Sequence, residues 1–280
     1  SKLIVSGSRF YQKLFAIKSY LKQESFDVVI AYKDGPTMIA CLCKLMGCNY
    51  KLIVSERNTT QNLSTKERFK FWLYRFADVV VPNSHAQGEF IKKNYHDLKS
   101  KVNVITNFVD INLFKAKVNY SYSMPIKILI VGRINPQKNL VRMIHVASCL
   151  KRDNIPVSID WYGGVHVNTE QYANEVKSLY SKANISDYLS FKEETPNIAN
   201  VYRHYHVFCL PSLFEGFPNV ICEAMSSGLP IICSKVCDNP NIVMEGVNGF
   251  MFNPLNEGDI YDTIQKVSSL DNDVLTSMGE

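Results

Sequence analysis

The chain alternates short, nearly unbroken apolar runs with longer segments in which apolar positions recur at helical spacing. Residues 26–31, 51–55, 78–82, 126–131, 157–162 and 206–210 are of the first kind, and continuous apolar runs are what burial on both faces of a parallel sheet demands. Helices are predicted over 11–23, 36–46, 65–76 and 84–95 in the first half, and over 140–152, 170–183, 196–204 and 257–270 in the second. Strands at 102–106, 188–191 and 249–252 and a short helix over 240–245 complete the pattern. Such alternation predicts an α/β protein with doubly wound parallel sheets. The periodicity lapses between 107 and 125, so the expected division is a first domain over 1–114, a linker over 115–125 and a second domain over 126–280.

One stretch concentrates more than packing. Over 211–232 an apolar strand gives way to a loop, Pro218 opens a helix, Gly228 closes it, and a second apolar strand follows at once. Proline is tolerated at a first helical position because its missing N–H would lack a helical partner anyway, and glycine takes the left-handed conformation that ends a helix. The start of this helix is predicted at the carboxyl end of the preceding strand, where open parallel sheets bind ligands and where helix amides and dipole favour phosphate. Glu215 precedes the helix and Glu223 lies within it, so two carboxylates flank an expected anion site.

Composition adds limits. The 280 residues, 46% hydrophobic and 20% charged, suffice for two globular domains. No apolar run reaches membrane-spanning length and the first residues lack the order of a signal peptide, which leads to the expectation of a soluble, cytoplasmic protein. The eight cysteines lack paired CxxC spacing and fall mostly in apolar segments, as buried thiols would, and neither disulfides nor a metal site is expected. Residues 1–114 carry 17 Lys and Arg against 9 Asp and Glu, while residues 115–280 carry 14 against 17, so the halves hold +8 and −3. A basic first half suits a membrane surface or a phosphorylated substrate, and a solvated surface explains it as well.

A second loop changes the weight of the acids. Residues 132–139 follow a predicted strand and carry Arg133 and Lys138. A guanidinium fork and an ammonium point charge together can neutralise a diphosphate. The loop has neither P-loop nor dinucleotide-binding glycine spacing, which argues against an ordinary ATPase or dehydrogenase.

Gly132-Arg133 with Lys138-Asn139, followed by Glu215 and Glu223 around Gly216-Phe217-Pro218, resembles the family 4 glycosyltransferases of the GT-B fold. The match in order includes Pro211, Glu223-Ala224-Met225, Gly228-Leu229-Pro230 and Gly246 with Asn248-Gly249, and a looser likeness runs through the first half in FDVVIAY, LIVSERN and VVPNS. The resemblance implies two Rossmann-like domains with a cleft between them. It also implies that the first domain is incomplete, because the family's opening strand and glycine-rich loop and its final crossing helix are not visible, so the chain is expected to be an internal portion.

By this resemblance Arg133 and Lys138 would hold the diphosphate of a nucleotide sugar and stabilise the leaving group, with no metal or other cofactor. Glu215 would hold hydroxyls of the transferred sugar and Glu223 those of the ribose. Gly132, Gly216, Pro218 and the amides of Phe217, Asn219 and Val220 would complete the donor cradle. The implied catalytic set is Arg133, Lys138 and Glu215. The implied activity is a retaining transfer to a hydroxyl of a glycan or lipid-linked acceptor in cell-surface polysaccharide synthesis, by front-face displacement. A 2-epimerase of the same fold and a non-catalytic nucleotide-sugar-binding remnant are the alternatives.

The acceptor is expected at first-half loops 33–35, 56–58 and 83–85, with His85 read as a surface residue at a helix start. Residues 66–76, KERFKFWLYRF, interleave cations with aromatics and fit either a helix lying on an acidic membrane or one packing Phe69, Trp72, Leu73 and Phe76 on its sheet. The packing reading is preferred. No nucleic-acid-binding motif accompanies the charge. Asp271-Asn272-Asp273 spells a DxD that is expected to be a turn.

Overall fold

The computed structural model describes residues 9–60, 63–116, 123–165 and 169–280. The chain forms two compact units, Ser1–Asn107 and Phe108–Glu280. The division falls earlier than residue 114 because Phe114 packs edge-on against Tyr202 in the second unit, with ring centroids 5.6 Å apart. The linker expected over 115–125 lies largely outside the described residues.

In the first unit, α1 (Phe10–Glu24), β1 (Val28–Tyr32), α2 (Asp34–Leu45), β2 (Lys51–Glu56), α3 (Thr65–Leu73), β3 (Val79–Pro82) and α4 (His85–Asn94) follow one another. The three strands form a parallel sheet in the order β1-β2-β3, with Ile53 opposite both Ile30 and Val79. Leu52, Val54, Phe71, Leu73, Tyr74, Val80 and Ile91 are fully buried in its core. Two helix starts are chemically fixed: the Ser64 hydroxyl accepts from Glu67 N–H at 3.2 Å, and Ser84 accepts from Gln87 N–H at 3.2 Å. The strand expected at 102–106 forms only partly. Asn103 and Ile105 N–H donate to Val80 and Pro82 O, but Val102 makes a single bridge to Val80 rather than a ladder.

The second unit runs β4 (Ile126–Val131), α5 (Leu140–Arg152), β5 (Val157–Tyr162), α6 (Glu170–Ala183), β6 (Leu189–Lys192), α7 (Ile198–Tyr202), β7 (Val207–Leu210), α8 (Asn219–Ser226), β8 (Ile231–Ser234), α9 (Asn239–Ile242), β9 (Gly249–Phe252), α10 (Glu257–Ser268) and α11 (Asn272–Gly279). Its parallel sheet has the order β6-β5-β4-β7-β8-β9. That is the doubly wound order of dinucleotide-binding folds, and the direction of winding reverses between β4 and β7, where Leu129 lies opposite Phe208. Every residue of β7 and β8 is buried, as their unbroken apolar letters require.

Three local expectations change. Helix α7 starts at Ile198 rather than 196, because the Thr195 hydroxyl accepts from Asn197 N–H at 3.2 Å and commits that backbone to a turn. Pro218 stands just before α8 instead of inside it, while Gly228 adopts the left-handed conformation expected of it, with φ 75°. Asp271-Asn272-Asp273 is not a bare turn: Asp271 precedes the first residue of α11 and the other two belong to that helix. No described helix is long and apolar enough to cross a membrane.

Candidate active site

The reversal between β4 and β7 leaves a crevice at the carboxyl ends of these strands, and the two loops singled out by sequence leave the sheet there. They are tied to each other. Leu213 N–H donates to Gln137 O at 2.8 Å, and Gln137 Nε2 donates to Phe214 O at 2.7 Å. Asn139, almost fully buried, takes a left-handed backbone (φ 65°) and donates from Nδ2 to Pro211 O at 3.1 Å and Pro254 O at 2.8 Å. Asparagine tolerates that conformation better than most residues, and its amide here clamps the loop after β7. The Asn139 of the sequence motif therefore does structural work.

Across this clamp Lys138 Nζ meets Glu215 Oε1 at 2.6 Å, with side chains only 14% and 11% exposed. Glu215 is held from behind as well, since its N–H donates to Cys237 Sγ at 3.4 Å. The pair borders a cavity of about 440 Å³. Gly132, Arg133, Phe217, Pro218, Asn219 and Val220 also line it, so eight of the ten residues expected at the donor site converge on one space within the second unit. Gly216 and Glu223 do not line it. The Asn219 N–H, expected to point at the ligand, donates to Phe217 O at 3.0 Å.

Glu223 lies half-buried one turn along α8 from Val220 and receives a hydrogen bond from the Tyr202 hydroxyl, 2.9 Å from its Oε2. Burial pushes its carboxyl above the usual range, an effect the Tyr202 bond partly offsets. Its own burial, and after that the neighbouring Glu223 carboxylate, push the Tyr202 phenol well up. Tyr202 thus holds one carboxylate oxygen of Glu223, and the other oxygen takes no part in that bond.

The remaining wall escaped the sequence reading. Val131, Tyr162, Gly163, Glu194, Thr195 and Ile198 also line the cavity, from the ends of β4, β5 and β6 and the start of α7. Gly163 is the informative one. A Cβ there would stand 2.1 Å from Gly132 O, so only glycine lets the ends of β4 and β5 come this close. Gly132 O in turn accepts from the Trp161 indole at 2.7 Å. The signal was present as a Gly163-Gly164 pair after an apolar strand, but a glycine pair there reads as an ordinary turn. Glu194 accepts from Gly164 N–H at 3.1 Å, which joins the β5 and β6 ends.

In the first unit the expected acceptor loops are more deeply built than loops. Asp34 and Gly35 begin α2, and Glu56 is buried, receiving the Tyr74 hydroxyl at 2.8 Å and facing Lys70 Nζ at 3.0 Å. Lys70, also buried, reaches Glu67 at 2.8 Å and Asp34 at 3.4 Å. Burial draws the Lys70 ammonium down, but these carboxylates outweigh it and hold it above its ordinary value. Burial pushes Glu56 up despite Lys70. His85 is exposed at the first position of α4, as expected.

This ionic anchor also corrects the phase of α3. With Lys70 turned inward, Phe71, Leu73 and Tyr74 are buried, and Phe69 and Trp72, expected against the sheet, are exposed.

Comparison with known proteins gives this architecture its family. The profile described as "Glycosyl transferases group 1" matches residues 113–280 and that described as "Glycosyltransferase Family 4" matches residues 4–113. Among relatives, the UDP-Gal:alpha-D-GlcNAc-diphosphoundecaprenol alpha-1,3-galactosyltransferase of Escherichia coli is 29% identical, over 89% of this chain and 68% of the relative. A GalNAc-alpha-(1->4)-GalNAc-alpha-(1->3)-diNAcBac-PP-undecaprenol alpha-1,4-N-acetyl-D-galactosaminyltransferase of Campylobacter jejuni is 30% identical, over 78% of this chain and 58% of its own. The chain thus spans between about three fifths and two thirds of these relatives. Anabaena HepE, solved in complex with UDP and glucose, superposes with a TM-score of 0.82 at 20% identity, covering 99% of this chain and 77% of HepE, which establishes the GT-B fold. With its two parallel-sheet units and both profiles end to end along it, the chain belongs to the group 1 glycosyl transferases of family 4.

Proposed function

We propose that the protein transfers a sugar from a nucleotide-diphosphate sugar to a hydroxyl of a lipid-linked glycan, with retention at the anomeric carbon. The observation that carries this reading is the convergence of Arg133, the Lys138–Glu215 pair and the start of α8 on one cavity at the sheet's reversal. Relatives named for diphosphoundecaprenol-linked substrates support the acceptor class.

Arg133 and Lys138 would meet the diphosphate, whose charge grows as the glycosidic bond to phosphate breaks. Fixed cations at such a position lower the barrier because they need no reorganisation during reaction. They provide the countercharge from the chain itself, so turnover should persist in chelator. Glu215 orients Lys138 and would accept from hydroxyls of the transferred sugar. Glu223, with one oxygen held by Tyr202, would receive the ribose hydroxyls on the other.

A carboxylate ion-paired at 2.6 Å is a poor nucleophile, which disfavours a glycosyl–enzyme intermediate through Glu215. In the front-face alternative the acceptor oxygen bonds to the anomeric carbon on the side from which phosphate departs. The acceptor proton then passes to the departing phosphate oxygen. Cytoplasmic nucleotide sugars as donors would put the reaction on the inner face of the membrane.

The test incubates the protein with UDP, GDP and ADP sugars and a diphosphoundecaprenol-linked saccharide. Extended saccharide plus free nucleoside diphosphate in equal amounts is expected. An epimerised donor, or donor bound without turnover, overturns the proposal. Arg133→Ala combined with Lys138→Ala should depress turnover far more than thermal stability.

A further inference from the structure

Helix α3 is two-sided. Its inward side is fixed by the Lys70 anchor and by Phe71, and its outward side carries Thr65, Arg68, Phe69 and Trp72 at spacings of three and four, bordered in the 3-10 turn that follows by Phe76, which is half-buried against the core. Phe69 is 45% and Trp72 40% exposed. The two rings stack with centroids 5.7 Å apart and planes 15° from parallel, and Phe76 meets Trp72 edge-on at 5.6 Å. The Arg75 guanidinium lies 5.3 Å over the Trp72 ring. Lys66, Arg68 and Arg75 are exposed around the stack. The acids nearby do not cancel them all: Glu67 turns to Lys70, and Asp97 meets Arg75 at 3.4 Å.

We propose that this stripe docks the protein on an anionic phospholipid membrane, with Phe69 and Trp72 entering the boundary between headgroups and acyl chains and Lys66, Arg68 and Arg75 meeting lipid phosphates. Stacked aromatics bordered by cations suit that boundary, where one end of each group is apolar and the other wet. Charge selects the occupant. Residues 1–107 hold 17 Lys and Arg against 8 Asp and Glu, so the unit attracts an anionic surface and two copies of this face repel each other. The inference deepens the reading above, because an undecaprenol-linked acceptor stays in the bilayer and a docked enzyme searches for it in two dimensions.

The chain offers its own reporter. It has two tryptophans, and Trp161 is fully buried, so a vesicle-induced blue shift or quenching by brominated lipid reports Trp72. Full-length protein is mixed with vesicles of phosphatidylcholine alone and of phosphatidylcholine with phosphatidylglycerol. Binding, blue shift and quenching are expected with the anionic vesicles, weakening as salt rises. Lys66→Ala and Arg68→Ala should each weaken partitioning about fivefold and flatten its salt dependence. Phe69→Ala with Trp72→Ala should weaken it by about tenfold or more, through lost apolar insertion. Calorimetric binding of nucleoside diphosphate in the second unit should be unchanged in every variant, and far-UV circular dichroism with thermal melting on the same samples shows that the first unit, which carries the substitutions, is folded.

Absent or salt-independent partitioning overturns the docking surface, as does self-association through the stripe measured by sedimentation. Failure of this inference and failure of the transferase reading are separable. Transfer to a short-chain soluble acceptor without vesicle binding overturns docking alone. Vesicle binding without any transfer overturns the transferase reading alone.

Discussion

Replacing Gly163 with alanine tests the site most directly, because it adds one methyl group and removes nothing. The new carbon would stand 2.1 Å from Gly132 O, 2.6 Å from the Gly132 carbonyl carbon and 3.2 Å from Arg133 N. Carbon and oxygen ordinarily come no nearer than about 3.3 Å. The two strand ends must therefore part by roughly 1 Å, and neither gives way easily. Gly163 N–H donates to Lys192 O at 3.2 Å, while Gly132 is held through N–H to Tyr162 O at 2.9 Å and through O to Trp161 Nε1 at 2.7 Å. A displaced Gly132 carries Arg133 with it and presses on Lys138, whose methylenes already lie close. Misplacement of a positioning group by 1 Å lowers turnover about a hundredfold. Gly163→Ala should thus reduce kcat/KM by about that factor and weaken calorimetric binding of the donor's nucleoside diphosphate, with thermal melting measured on the same sample. Gly249→Ala is the control. Its methyl would stand 2.0 Å from Ile231 O but outside the cavity, so it should lower stability without changing nucleotide affinity per folded molecule. Wild-type affinity and turnover in Gly163→Ala, or an equal loss of affinity in both variants, refutes the reasoning.

Two further substitutions separate stability from binding. Glu223→Gln should weaken binding of the donor's nucleotide by about 5- to 30-fold, because the glutamine oxygen still accepts but gives up the ~1–2 kcal/mol that charge adds to a hydrogen bond. The sign on stability is opposite. Burial raises the folded-state pKa of Glu223, so its contribution is fully present below about pH 4.5 and lost as pH rises through the raised value. The glutamine variant should gain on wild type over that window and stay ahead at neutral pH in denaturant titrations. Lys70→Met should destabilise the first unit by about 3–5 kcal/mol, because Glu56, Glu67 and Asp34 lose their shared cation. That deficit should shrink in acid, as the stranded carboxylates take up protons. A deficit independent of pH would show that packing, not charge, holds the cluster.

Much of the fold was legible because parallel strands buried on both faces leave unbroken apolar letters. The strand over 126–131 and the helices over 140–152 and 170–183 have the bounds expected of them. That the two loops meet at one cavity was legible for a related reason: cations and acids at strand ends, followed by helix starts, have few structural uses in combination. What failed were features whose cause lies elsewhere in the chain. The phase of α3 follows from Lys70 finding Glu56 at the end of another strand, and no local periodicity carries that. Segment 102–106 has the letters of a strand but only a bridge and two hydrogen bonds alongside β3.

By itself, then, the sequence determined the alternation of elements, the two loops at the β4 and β7 ends and the chemical types gathered there, because these depend on local letters and their order. Only the tertiary structure decided which groups meet. It paired Lys138 with Glu215, put Tyr202 on Glu223, made Gly163 the contact that admits the Gly132 carbonyl, and turned Phe69 and Trp72 to solvent. Each of these depends on distances between segments remote in the chain, which packing sets and spacing along one strand or helix does not.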